Sequence, residues 1–158
     1  QPPPPDVIRV RRVDTSDPVV RAGVDSMIAE CFTVYDWSDL KLPRCTAAYG
    51  EWWVAFKGKV LVGFVGVVDS TKVPNALYLF IVGVIPSARG DGIQKRLTKK
   101  VLRYARERDR RYVVSDTVNT NVASMRSFVR SGFIPFRPDD KWGSPHAVYW
   151  IRNAQERT

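Results

Sequence analysis

The chain has 158 residues, 44% of them hydrophobic and 26% charged, which suits one compact domain and excludes an intrinsically disordered chain. No apolar stretch approaches the roughly 20 residues that cross a bilayer, so a membrane partner is not expected. The net charge of +9 is concentrated: residues 86–130 hold twelve Lys/Arg against four Asp/Glu, so an anionic ligand or partner belongs there.

Residues 1–6, QPPPPD, read as an extended proline-rich tail, and residues 7–158 as the domain. No basic-then-apolar signal opens the chain, and Gln1 leaves open whether a leader precedes it. The alternation in VIRVRRV predicts a strand over 7–13. Ser16 or Asp17 is placed to cap a helix with Pro18 in its first turn. That helix runs to about Cys31, with Val19, Val20, Val24, Met27, Ile28 and Cys31 on one side. Residues 33–49 are irregular or carry a short helix near 37–40.

Residues 51–68 read as a hairpin turning at Lys57-Gly58-Lys59. Residues 76–85, ALYLFIVGVI, are apolar on both faces and predict a central strand. A glycine turn and a long helix follow, with Ile93, Leu97, Val101 and Ala105 on its buried side. Lys95, Lys99, Arg103, Arg106 and Arg110 form a basic stripe elsewhere on it. Residues 112–117 predict a strand, 121–131 a helix closed by Gly132, and 133–136 and 147–152 the last strands. Cys31 and Cys45 are not in a metal-ligand spacing and His146 is the one histidine, so no metal site is expected. Two thiols suit a reducing cytoplasm, with a Cys31–Cys45 bridge as the alternative.

The turn IPSARGDGIQKRL (85–97) carries the chemistry. A strand feeding a helix through glycines presents unpaired backbone N–H groups at the positive end of the helix dipole. Gly90 and Gly92 let a bulky anion approach that backbone, and Arg89 and Lys95 flank it with full charges. It is not a Walker A loop, for want of Gly-Lys-Ser/Thr, and the third glycine of a dinucleotide fingerprint is missing. The alternative is a tight strand-to-helix turn with no ligand.

Arg89-Gly90-Asp91-Gly92-Ile93-Gln94 after a central strand resembles the Arg/Gln-x-x-Gly-x-Gly/Ala signature of the GNAT N-acetyltransferase superfamily. Asn121-x-x-Ser124-x-x-x-Phe128-x-x-x-Gly132-Phe133 is similar to that family's Asn-x-x-Ala/Ser-x-x-x-Tyr-x-x-x-Gly-Phe helix. Both motifs stand in the family's order, and the resemblance covers about residues 7–152. It implies an α/β domain: a mixed, mostly antiparallel sheet of six or seven strands, about four helices, and a cofactor cleft between splayed central parallel strands. It also implies acetyl-CoA as acyl donor, with the backbone from Arg89 to Lys95 on the pyrophosphate and the main chain of Val82 and Val84 on pantetheine. Asn121, Ser124 and Phe128 would meet the cofactor on its other side.

Two positions depart from the pattern. Gln94 replaces a small residue, and Phe128 replaces the aromatic hydroxyl that protonates a leaving thiolate. Asp116 matches a strand carboxylate common in the family and is the first candidate for base, a solvated strand-end aspartate being the alternative. Tyr78, on the central strand, is the second catalytic candidate, a core tyrosine being its alternative. The acceptor side would draw on Tyr35, Asp36 and Trp37 and on Trp142 and His146 in the loop before the last strand; Asp139 and Asp140 lie in that same loop. Acids with aromatics suit a cationic amine.

The expected activity is acetyl transfer from acetyl-CoA to a primary amine by direct attack, in a cytoplasmic monomer or homodimer. The alternatives are a CoA-binding or regulatory module without turnover, and nucleic-acid engagement through the basic helix.

Overall fold

A computed structural model describes Pro4 and residues 6–31 and 47–157. The strands are β1 (Ile8–Val13), β2 (Glu51–Lys57), β3 (Val60–Asp69), β4 (Ala76–Val84), β5 (Tyr112–Val118), β6 (Ile134–Phe136) and β7 (Ala147–Asn153). They form one seven-stranded sheet in the order β1-β2-β3-β4-β5-β7-β6. The helices among the described residues are α1 (Pro18–Cys31), α2 (Ile93–Glu107) and α3 (Val122–Arg130), with a 3-10 turn at Pro86–Ala88. The short helix considered near 37–40 lies outside the described residues. No described helix is long and apolar enough to cross a membrane. The chain groups into two compact units, 1–66 with 81–97, and 67–80 with 98–158.

In the first unit, β1 and β2 pair antiparallel from Ile8↔Lys57 to Val13↔Trp52. Asp17 caps α1: its Oδ1 accepts the Val19 N–H at 2.9 Å, with Pro18 at the first helical position. Val24, Met27 and Ile28 are buried as the 3.6-residue period requires. Val19 is not on that face: it is 80% exposed. Five residues before Val24 is a rotation of roughly 140° around the helix, so placing Val19 with the others stretched the stripe too far.

The unit's core closes on Trp52 and Phe64, both fully buried, with ring centroids 6.3 Å apart. β4 crosses this core at Gly83, where a Cβ would stand 2.6 Å from Phe64 Cζ. Gly83→Ala is therefore expected to destabilise the protein by about 1–3 kcal/mol through overpacking. Urea unfolding measures this directly; an unshifted midpoint would mean that the Phe64 ring turns aside at no cost.

In the second unit, β5 pairs antiparallel with β7 along its whole length, from Tyr112↔Asn153 to Val118↔Ala147. β6 adds to the other side of β7. β4 joins β5 in parallel over three residues only, Ala76↔Tyr112 to Tyr78↔Val114, after which Ser115 Oγ donates to the Leu79 carbonyl at 2.7 Å. α3 ends as its glycine predicts. Gly132 takes φ +84°, Phe133 N–H bonds the Phe128 carbonyl, Gly132 N–H bonds that of Val129, and the Phe128 and Phe133 rings meet at 5.0 Å. These are the two hydrogen bonds and the apolar contact of a Schellman cap.

The basic stripe of α2 is largely committed within the chain. Arg103 pairs with Glu107, Arg106 donates to the Ala154 carbonyl, and Arg110 pairs with Asp69 at 3.0 Å. Lys95 and Lys99 remain exposed.

Candidate active site

One candidate feature lies in the first unit. β4 stops at Val84, the 3-10 turn carries the chain through Ala88, and Arg89 returns to extended geometry. Gly90 (φ +94°) and Gly92 (φ +72°) take left-handed backbone conformations, and α2 begins at Ile93. A Cβ built on either glycine meets nothing within 4 Å. The glycines therefore answer a conformational need and leave open space in front of the turn. The first bond into the helix is Arg96 N–H to the Gly92 carbonyl at 3.1 Å. The earlier N–H groups of that first turn have no intrahelical acceptor, and they carry the positive end of a helix whose first turn has no acid.

The flanking charges are arranged differently from expectation. Arg89 folds back, its Nε donating to the Val84 carbonyl at 3.1 Å. That carbonyl, expected to serve pantetheine, thus already accepts one side-chain donor. Asp91 pairs with Lys57 at 3.3 Å, which partly neutralises the one acid in the turn. Ile93 is a core residue at 2% exposure, so its contribution to an anion is confined to its backbone. Val82 and Gln94 are half-buried and Lys95 is exposed. Cys31 is a free thiol beside this turn; burial pushes it up, with Arg89 offsetting part of the rise.

A separate candidate feature lies in the second unit and centres on Asp116. Its Oδ1 accepts the Tyr78 hydroxyl and, at 3.1 Å, the Trp142 indole N–H. Among the described residues both donors go to Oδ1, which leaves Oδ2 as the oxygen able to take a proton. The rings of Tyr78 and Trp142 meet edge-on at 5.7 Å, and Phe80 lies 6.4 Å from Tyr78. Asp116 is thus a half-buried carboxylate with aromatic walls, chemically suited to hold an ammonium and accept its proton.

Tyr78, Asp116 and Trp142, identified separately in the sequence, come together here. Asn121 caps α3, its side-chain oxygen accepting the Ser124 N–H at 3.1 Å, so both residues have a local role. Phe128, expected beside a thioester, is a core residue: it is 2% exposed and stacks on Trp150 at 6.0 Å. His146 is exposed, and its backbone carbonyl accepts the Asn119 N–H. Asp140 is paired with Lys72 at 2.8 Å, while Asp139 is exposed. Tyr35, Asp36, Trp37 and Cys45 lie outside the described residues. No cluster of metal-binding side chains occurs among the described residues.

Tyr149 was not singled out from the sequence. It stands opposite Asp116 in the β5–β7 ladder, 6% exposed, and its hydroxyl accepts the Gly143 N–H at 2.8 Å. The one available signal was its place in an apolar run; its partnership with Asp116 needs the strand register.

The sequence model of the acetyltransferase (GNAT) family matches residues 22–133. Human N-acetyltransferase 8B is 34% identical over 101 residues, 62% of this chain and 44% of that protein. The chain spans between 39% and 54% of the length of such curated relatives. Among solved structures, the ribosomal-protein-S18-alanine N-acetyltransferase from Escherichia coli superposes with a TM-score of 0.71 at 11% identity, over 96% of this chain and 97% of that one. The diaminobutyrate acetyltransferase from Paenibacillus lautus, solved with its substrate and coenzyme A, gives 0.68 at 20% identity, over 97% and 99%.

Proposed function

The chain belongs to the acetyltransferase (GNAT) family, and from that premise we propose that it moves an acetyl group from acetyl-CoA to a primary amine by direct attack. The observation that carries this reading is the opening of α2: two left-handed glycines with clear space before them, at a helix N-terminus. The backbone N–H groups from Gly92 to Lys95 would hold the pyrophosphate, and the exposed Lys95 ammonium would add charge. The main chain of Val82, and the Val84 carbonyl that Arg89 already contacts, would receive pantetheine. Acetyl-CoA supplies an activated thioester when bound.

The residues of the second unit supply the other requirement. A lysine-like amine has a pKa of ~10.4, so roughly one molecule in a few thousand is neutral at pH 7. Asp116 Oδ2 takes one proton from the ammonium; the neutral nitrogen then bonds to the acetyl carbon, the carbon–sulfur bond breaks, and the nitrogen's second proton goes to the departing thiolate or to water. Tyr78 and Trp142 occupy Oδ1, which leaves Oδ2 for the amine. Neither cysteine is needed as a nucleophile, and the elevated Cys31 thiol is poorly suited to be one.

Incubation with labelled acetyl-CoA and a panel of small diamines, lysine and peptide N-termini tests this. N-acetylated product should form with no pre-steady-state burst and no label retained on protein. Acyl label trapped on Cys31 or Cys45 would exclude direct attack, and acetyl-CoA binding without product from any amine would leave a binding module.

A further inference from the structure

Resting on that reading, we infer that Tyr149 and Gly143 are positioning residues that set the Trp142 indole on Asp116. Five contacts, all within the second unit, make up the device. Tyr149 lies opposite Asp116 across the β5–β7 ladder, so the two side chains rise from neighbouring points on one face of the sheet. Phe136 lies opposite Tyr149 on the far side, with their rings 6.5 Å apart, and backs the phenol from β6. The Tyr149 hydroxyl accepts the Gly143 N–H at 2.8 Å, which pins the turn that carries Trp142. The Tyr149 ring packs edge-on against the Trp142 indole at 4.7 Å. The indole N–H then reaches Asp116 Oδ1 at 3.1 Å.

Glycine is required under the phenol. A Cβ at position 143 would stand 2.9 Å from the Ala147 Cβ and 3.1 Å from the Tyr149 oxygen. Those two atoms flank the turn, so any larger residue moves it by tenths of an ångström, and the indole with it. Tyr149 is buried, its hydroxyl oxygen accepts the Gly143 N–H and its ring meets the Trp142 indole, so the turn and the indole are the neighbours through which it is inferred to act.

Indole N–H resonances of the folded chain test this without any acceptor. Trp142→Phe identifies the Trp142 signal by its disappearance. Asp116→Ala should move that signal upfield as its acceptor is lost, and Tyr149→Phe, which keeps the ring and removes the oxygen, should move it the same way. Gly143→Ala is the second route to the same displacement, with far-UV circular dichroism confirming that each variant is folded. A Trp142 signal unmoved in both Tyr149→Phe and Gly143→Ala overturns the inference, whether or not any amine is acetylated. With an amine that is acetylated, Tyr149→Phe should lower kcat by roughly tenfold to a hundredfold at unchanged acetyl-CoA KM. An unchanged kcat would likewise overturn it.

Discussion

Asp116→Asn is expected to lower kcat for amine acetylation by roughly 10²–10⁴-fold, the range for losing a positioned general base. Asparagine is nearly isosteric, and its carbonyl oxygen can still accept from Tyr78 and Trp142 where Oδ1 does now. The surrounding rings therefore have no reason to move, and the loss reports proton transfer rather than collapse of the site. What asparagine cannot do is take a proton at the second position. The deficit should shrink as pH rises toward the ~10.4 of an alkyl ammonium, because the amine then arrives already neutral. Calorimetry should find free-CoA affinity unchanged, since the proposed phosphate cradle is the glycine turn. Equal kcat in both enzymes across that pH range would remove Asp116 from the mechanism.

Gly92→Glu is expected to weaken binding of both CoA and acetyl-CoA at least a hundredfold, which corresponds to about 2.8 kcal/mol. Two effects act together. At φ +72° a residue with a Cβ pays roughly 1–2 kcal/mol, which tilts the turn away from the geometry that aims its N–H groups outward. The glutamate itself then extends into the open space before the turn and places a carboxylate where a phosphate would sit. The fold should survive: an added Cβ meets no neighbour within 4 Å, and an acid at a helix N-terminus is favourable by ~0.3–1 kcal/mol. Lost binding in a protein of unchanged circular dichroism therefore locates the anion at α2. Retained binding would place the phosphates elsewhere, with the exposed Lys95 and Lys99 as the first alternative.

The sequence by itself determined the parts whose information is local. A period of two marks β1, a period near four marks the buried side of α2, and a glycine after Ser131 marks the end of α3; each is set by backbone geometry within a few residues. The glycine turn was legible for the same reason, since its glycines and its helix start are contiguous. Tertiary structure decided the rest. Asp116 meets Tyr78 from 38 residues away and Trp142 from 26, partners chosen by strand order and register rather than by spacing. The same register sets Tyr149 against Asp116, and the packing of α3 stacks Phe128 on Trp150. It also decides how the basic helix is used: Arg106 and Arg110 are spent on a carbonyl and a carboxylate 48 and 41 residues distant. A run of charge in a sequence reports how many cations are present; which of them remain for a ligand depends on the acceptors the fold brings beside them.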